Sequence, residues 1–154
     1  MRCYCCSSLP YEKCCEPYLT GKSLPSSAEQ LMRSRFSAYA TANFDYILKT
    51  YSIDKQQSLS TDALKSSAEG ATWFALQINA TPSEDTVEFT AYYFENKAMY
   101  QLHESSRFIK EDGAWRYHDG ELFDDCGKVK YGRNLPCVCG STKKFKQCCA
   151  TKAR

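Results

Sequence analysis

Cysteines occur twice in the same arrangement, once near each end of this 154-residue chain. In each set the later cysteines follow the first by two, eleven and twelve residues. The two sets are Cys3, Cys5, Cys14 and Cys15, and Cys137, Cys139, Cys148 and Cys149. A spacing that recurs is far more specific than a single cysteine pair. It predicts a small cysteine-based knuckle at each terminus, on either side of a central domain.

Each set has the donors that a structural zinc ion needs, because four thiolates at about 2.3 Å complete its tetrahedral coordination. In the second set Gly140 supplies the backbone freedom for a tight turn. Ser141 is then expected to cap a short helix over residues 142–147, which would return Cys148 and Cys149 to the metal. The first set has Cys6 in place of that glycine. Zinc is the expected cofactor, with two ions per chain, although a tetrathiolate site also accepts iron.

Disulfide bonds are the competing interpretation, because ten cysteines in a short chain would suit a secreted, cross-linked scaffold. The first fifteen residues contain cysteines and charges rather than the apolar core of a signal peptide. Neighbouring cysteines such as Cys14 and Cys15 are also poor partners for one another, given the Cα separation that a disulfide requires. The sequence therefore favours metal binding and a cytoplasmic location. No apolar run approaches the length of a membrane span.

Charge is unevenly distributed along the chain. From Cys126 onward there are eight Lys or Arg and no Asp or Glu, which leaves 12 basic and 18 acidic residues before it, a net charge of −6. A basic tail on an acidic body suggests an anionic partner for the tail: nucleic acid, the ribosome, an acidic protein surface or anionic lipid. Alternatively, part of the positive charge compensates the thiolates around a metal.

The central region begins with helical patterns. Residues 16–25 contain three turn-forming residues and predict a linker. Ser26 and Glu29 form a capping-box pattern that would open a helix with one buried face, ending near Asn43. A second short helix is predicted from Asp45, and a third, capped by Thr61 or Asp62, is predicted to end near residue 70.

After residue 70 the periodicity changes to that of strands. Strands are predicted over residues 73–80, 86–95, 98–111 and 114–120. Turns are expected at Asn96-Lys97 and Asp112-Gly113, and a bulge is expected around residues 104–106. Helices followed by an antiparallel meander predict an α+β fold, a curved sheet packed on helices. This order resembles the cystatin-like fold of nuclear transport factor two and ketosteroid isomerase, which often encloses a conical pocket.

The C-terminal cysteines lie in a segment that resembles the SEC-C motif, the zinc knuckle at the C-terminus of the translocase ATPase SecA. The segment is residues 132–149, GRNLPCVCGSTKKFKQCC. The family pattern has an acidic residue, Pro and Gly where this chain has Leu135, Val138 and Thr142, and none of these is a ligand position. In SecA the motif contacts the chaperone SecB, so the resemblance implies a protein partner of the chaperone or translocation type.

The whole chain resembles the YchJ family of bacterial SEC-C proteins. Further similarities lie in residues 31–35, 45–50 and 106–111. Together with the patterns above, the resemblance predicts an N-terminal knuckle over residues 1–20, a cystatin-like domain over 26–121, and a linker with the C-terminal knuckle over 122–154. It brings no established activity.

Polar residues near the expected pocket are the only candidates for acid–base chemistry. They are Arg33, Arg35, Asp45, Tyr46, Glu104, Arg107, Tyr117 and Asp119. We expect Arg33 and Arg107 to pair with Asp45 or Glu104, which would be a structural role. No catalytic triad spacing or phosphate-binding loop occurs in the sequence. The favoured hypothesis is a non-enzymatic, zinc-binding adaptor without catalytic residues. The alternative is a small lyase or isomerase that works in the pocket.

Overall fold

A computed structural model describes residues 1–153 of the protein. Short helices come first, and an antiparallel sheet follows, which confirms the α+β prediction. The helices are α1 (Glu16–Leu19), α2 (Ala28–Ala40), α3 (Phe44–Lys49), α4 (Ile53–Gln56) and α5 (Thr61–Ser67). The strands are β1 (Thr72–Ser83), β2 (Thr86–Glu95), β3 (Ala98–Glu111), β4 (Ala114–Leu122) and β5 (Gly127–Lys128). No helix in this part of the chain is long and apolar enough to cross a membrane.

Side-chain caps set the starts of α2, α3 and α5, each close to the predicted position. Ser27, rather than Ser26, caps α2 by accepting a hydrogen bond from the backbone N–H of Gln30 at 3.1 Å. Asn43 caps α3 and Ser60 caps α5 in the same way. The predicted caps are each displaced by one or two residues, because several neighbouring serines, threonines and acids satisfy the capping pattern equally well. Helices α1 and α4 were not predicted.

The sheet is a meander in the order β1-β2-β3-β4, with β5 added beside β3. The two predicted turns are confirmed. Asn96 and Lys97 have φ of 51° and 67°, and Asp112 and Gly113 have φ of 53° and 79°. Positive φ at both central residues is typical of the turns that match the twist of a two-residue hairpin.

The bulge predicted at residues 104–106 is wrong. The β2–β3 register is continuous from Thr86 to Glu95, and the irregularities lie in β1 and between Arg107 and Phe108 in the β3–β4 pairing. Glu104 lines a cavity on the concave face of the sheet, and Ser106 is fully buried. The alternation therefore continues through residues 104–106. Two polar residues simply occupy inward positions.

Apolar side chains cover both faces of the sheet. On the concave face, the core packs strand residues such as Phe89 and Phe108 against Leu31 and Phe36 of α2. On the opposite face, the rings of Phe74 and Phe94 stack with their centroids 4.2 Å apart. Phe145 from the C-terminal segment packs against both. The C-terminal segment thus lies on the outer face of the sheet, while the helices fill the inner face.

Residues 123–136 run from the end of β4 to the C-terminal knuckle, and His103 is one of the residues that attach them to the sheet. Its Nε2 lies 2.7 Å from Glu88 Oε2, and its Nδ1 lies 2.8 Å from Asp125 Oδ1. The ring also stacks on Phe123 at 3.9 Å. The hydrogen bond with Glu88, followed by that with Asp125, raises the pKa of His103 above its ordinary value despite some burial. The histidine, which the sequence left without a role, therefore fastens this arm to the sheet.

Candidate metal centres

The four thiols of each cysteine set meet in space. Within each set all four Sγ atoms lie within 4.8 Å of one another. The Sγ atoms of Cys5 and Cys14 are 3.6 Å apart, as are those of Cys139 and Cys148. The Sγ atoms of Cys14 and Cys15 are 4.0 Å apart. A tetrahedron with metal–sulfur bonds of about 2.3 Å has edges of about 3.8 Å, so the donor set and spacing fit a tetrathiolate metal centre.

The structure of residues 1–153 contains no disulfide bond in either knuckle. All ten cysteines are free thiols, and the Sγ separations above are well beyond the roughly 2.05 Å of a sulfur–sulfur bond. Eight of the ten belong to the two sets, and Cys6 and Cys126 lie outside them. The arrangement of the thiols thus agrees with metal binding and not with the cross-linked scaffold.

The two knuckles have the same backbone design. Cys3 N–H donates to the carbonyl of Leu9 at 2.8 Å, and Cys137 N–H donates to that of Lys143 at 2.8 Å. Each knuckle then makes a single turn of 3-10 helix, Tyr11–Lys13 in one and Phe145–Gln147 in the other. The helix predicted over residues 142–147, with Ser141 as its cap, is therefore wrong. Its place is taken by an extended bridge between Pro136 and Lys144 and the 3-10 turn.

A serine contacts the third cysteine of each knuckle. Ser141 Oγ lies 3.1 Å from Cys148 Sγ, and Ser7 Oγ lies 3.2 Å from Cys14 Sγ. A hydroxyl that donates to a thiolate stabilises its charge and orients it toward a metal. Sequence reasoning missed this role, although the signal was present, because both serines occupy the same position relative to their cysteines.

Burial and hydrogen bonds together shift the pKa values of two of these thiols in opposite directions. Burial acts to raise the pKa of Cys139, but hydrogen bonding to Ser141 and neighbouring thiols outweighs it and lowers the pKa to about 6. Burial raises the pKa of Cys14 to about 11, against the hydrogen bond from Ser7. Four adjacent thiolates repel one another, so their joint ionisation requires a bound cation.

The N-terminal knuckle docks on helix α2. Arg33 Nη1 donates to the carbonyl of Cys5 at 3.0 Å and lies 3.7 Å from its Sγ. One turn further along, Ser37 Oγ lies 3.7 Å from Cys3 Sγ. Cys5 and Cys15 are almost completely buried within the main core. The predicted pairing of Arg33 with Asp45 or Glu104 is wrong, because Arg33 pairs with Glu29 four residues earlier on the helix, at 3.0 Å.

The two knuckles contact each other, although 137 residues separate the contacting positions. Arg2 Nη2 donates to the carbonyl of Cys139 at 2.9 Å, and its Nη1 lies 3.8 Å from Cys139 Sγ. Gln77 of β1 donates to the carbonyl of Val138 at 3.2 Å, and Cys6 packs into the same outer-face cluster. The knuckles therefore lie side by side around the β1 side of the domain, with a positive charge beside one thiol cluster.

The expected pocket is present between the concave face of the sheet and α2. It has a volume of about 410 Å³. Of the eight polar candidates, Arg35, Glu104 and Tyr117 line it. Tyr117 donates to Glu104 at 2.8 Å, and burial followed by the charge of Glu104 raises the pKa of Tyr117. Arg107 instead pairs with Asp119 on the exposed part of the sheet. The remaining candidates do not line the cavity.

Two family models match the chain. The family described as "YchJ, middle NTF2-like domain" matches residues 27–120, and the family described as "SEC-C motif" matches residues 133–151. A UPF0225 protein of Vibrio cholerae is 41% identical over 154 residues, covering 97% of this chain and 99% of the relative. A UPF0225 protein of Pectobacterium carotovorum is 38% identical over 155 residues, covering 96% of each chain.

Solved structures of SEC-C proteins have the same fold. The solution structure of a SEC-C motif containing protein from Rhodopseudomonas palustris is 33% identical, with a TM-score of 0.74 over 80% of this chain and 100% of that one. The crystal structure of a SEC-C motif containing protein from Psychrobacter arcticus is 28% identical, with a TM-score of 0.64 over 98% of this chain and 96% of that one.

Backbone strain in the C-terminal knuckle predicts the effect of two substitutions. Thr142 has φ of 71° and Gly140 has φ of 78°, and only glycine adopts this region without steric cost. Thr142→Gly should stabilise the knuckle by about 1 kcal/mol, and Gly140→Ala should destabilise it by about as much. Competition of the metal-loaded protein with a chelator would measure both effects. Equal metal retention in the two variants would contradict this account.

Proposed function

Because the chain belongs to the YchJ-like family of SEC-C proteins, whose relatives are called UPF0225 proteins, we propose that it is a zinc-binding adaptor. Each cysteine quartet would hold one zinc ion through four thiolates. The observation that carries this proposal is the convergence of two separate quartets, each with its Sγ atoms within 4.8 Å of one another. When bound, zinc would supply structural cross-linking of the knuckle.

The donor set supports a structural role over a catalytic one. Four protein thiolates complete a tetrahedral site, and a catalytic zinc site keeps one position open for water or substrate. Several of these thiols are also shielded. Cys5, Cys15 and Cys149 are each at most 1% exposed. Burial of this kind suits a site that holds the chain together rather than one that a substrate must reach.

The proposed partner is a protein with an acidic surface. Lys143, Lys144 and Lys146 all lie on the C-terminal knuckle and are exposed. Arg133 is exposed beside them, since its carbonyl accepts a hydrogen bond from the N–H of Lys146 at 2.9 Å. A cluster of basic side chains on one small module attracts anionic surfaces and accelerates their association. The free thiols throughout the described chain support a reducing, cytoplasmic location for this interaction.

Metal content tests the zinc proposal. Protein purified under reducing conditions should contain about two equivalents of zinc per chain, because each quartet forms one complete site. Cys139→Ser should contain about one, and Cys126→Ser, which alters a thiol outside both quartets, should retain both. Elemental analysis by mass spectrometry would give these values. Less than one equivalent of zinc in the unmodified protein would refute the proposal.

Charge reversal on the knuckle tests the partner proposal. The triple variant K143E/K144E/K146E should bind the chaperone SecB at least about tenfold more weakly than the unmodified protein, because it replaces attraction with repulsion. The control K22E/K65E/K97E reverses three exposed lysines elsewhere and should bind normally. Calorimetric titration at two salt concentrations would measure both.

Two results would contradict the choice of partner. Equal affinity of both triple variants for SecB would remove the basic cluster from the interface. Binding of a single-stranded RNA oligonucleotide, lost in K143E/K144E/K146E while SecB does not bind at all, would assign the surface to nucleic acid instead.

A further inference from the structure

Arg35 is a buried cation without an acidic partner. Its side chain lies in the core with the residue 3% exposed. Nη1 donates to the carbonyl of Ile47 at 2.9 Å and to Thr50 Oγ1 at 2.7 Å, and both of these acceptors are neutral. No carboxylate among residues 1–153 lies within 4.0 Å of the guanidinium. A buried charge is destabilising unless it is paired. An anion that paired with Arg35 would therefore be bound favourably.

The guanidinium lies at the wall of the 410 Å³ cavity between α2 and the concave face of the sheet. Its Cζ is 4.4 Å from the ring centroid of Tyr51 and 4.8 Å from that of Tyr117. Both rings also line the cavity. Cation–π contacts of this kind orient the guanidinium, and with the two hydrogen bonds of Nη1 they fix it before any ligand binds.

Aromatic rings form much of the remaining wall. The Trp73 ring lies 4.5 Å from Tyr93, 6.0 Å from Tyr39 and 6.3 Å from Phe36, measured between centroids. All four residues line the cavity. Trp73 Nε1 is buried without a hydrogen-bond acceptor among the described residues. Such a wall favours a ligand with a flat, apolar body.

The charges around the cavity limit the charge of the ligand. Three carboxylates, those of Glu69, Glu95 and Glu104, line the cavity together with the single guanidinium of Arg35. Glu104 is engaged by Tyr117 and by Ser106, so it does not neutralise the arginine directly. Glu69 is exposed at the open side, where solvent screens its charge. Each further negative charge on a ligand, as on a phosphate monoester, would add repulsion from the acids without a second cation to pair with it. One negative charge matches one cation.

We propose that the cavity binds a small monoanionic carboxylate with a planar apolar body, whose carboxylate pairs with Arg35. Arginine suits this role because its planar fork of donors matches the two oxygens of a carboxylate. Ser67 and Glu69 are exposed and line the cavity, so the open side lies at the end of α5 and Arg35 lies at the buried side. The proposal concerns the central domain and does not depend on metal in either knuckle.

Titration followed by nuclear magnetic resonance tests this site with 1-naphthoate as the probe. The chain has two tryptophans, and only Trp73 lines the cavity. The indole N–H signal of Trp73 and the side-chain Nε–H signal of Arg35 should shift saturably, and the indole signal of Trp115 should not. The neutral analogue 1-naphthalenemethanol should bind about tenfold more weakly or worse, because it lacks the charged hydrogen bonds. Trp115→Phe assigns the two indole signals.

Variants separate the role of Arg35 from general damage to the fold. Arg35→Met should lose at least about tenfold in affinity for 1-naphthoate, and the matched control Arg107→Met, on the exposed part of the sheet, should bind normally. Because Arg35 also supports α3, Ala71→Trp provides a second test, as it fills the cavity wall and leaves the arginine intact. It should abolish binding.

Three results would overturn the proposal. They are equal affinity for 1-naphthoate and its neutral analogue, unchanged binding in Ala71→Trp, and no saturable shift of the Trp73 signal at millimolar probe. Tighter binding of 1-naphthyl phosphate than of 1-naphthoate would also overturn it, because the cavity would then accept a dianion.

Discussion

The mutual repulsion of four closely spaced thiolates is the constraint on which both ends of this protein depend. Each knuckle has few residues and little apolar surface of its own. Folding brings four sulfurs within 4.8 Å of one another at each end, and that arrangement becomes favourable as thiolates only around a cation. The identical hydrogen bonds of the two knuckles, with a serine beside the third cysteine in each, show that one local solution to this constraint is used twice.

Helix α2 contacts both the N-terminal knuckle and the cavity of the central domain. Arg33 and Ser37, one turn apart, contact the N-terminal knuckle. Arg35 and Tyr39 from the same helix line the cavity. The N-terminal knuckle and the cavity therefore lie on different sides of the same helix. The C-terminal knuckle is attached differently, to the outer face of the sheet through Phe145 and to its counterpart through Arg2.

Local patterns in the sequence predicted much of the fold, and long-range contacts account for most of what they missed. The cysteine spacing, the strand alternation and the hairpin turns each depend on residues close in the chain, so they were recognisable. The pairing of Arg33 was missed even though Glu29 lies four residues before it, a spacing typical of helical ion pairs. The contact between Arg2 and Cys139 had no such signal, because 137 residues separate them. Arg35 likewise could not be identified as an unpaired cation before its neighbours were known.

Anomalous scattering at the zinc absorption edge, from crystals of the reduced protein, tests the central claim most directly. The account predicts two strong anomalous peaks per chain. Each would lie about 2.3 Å from four sulfur atoms, one among Cys3, Cys5, Cys14 and Cys15 and the other among Cys137, Cys139, Cys148 and Cys149. Peaks coordinated by other residues, or thiols bonded to one another with no metal between them, would contradict it.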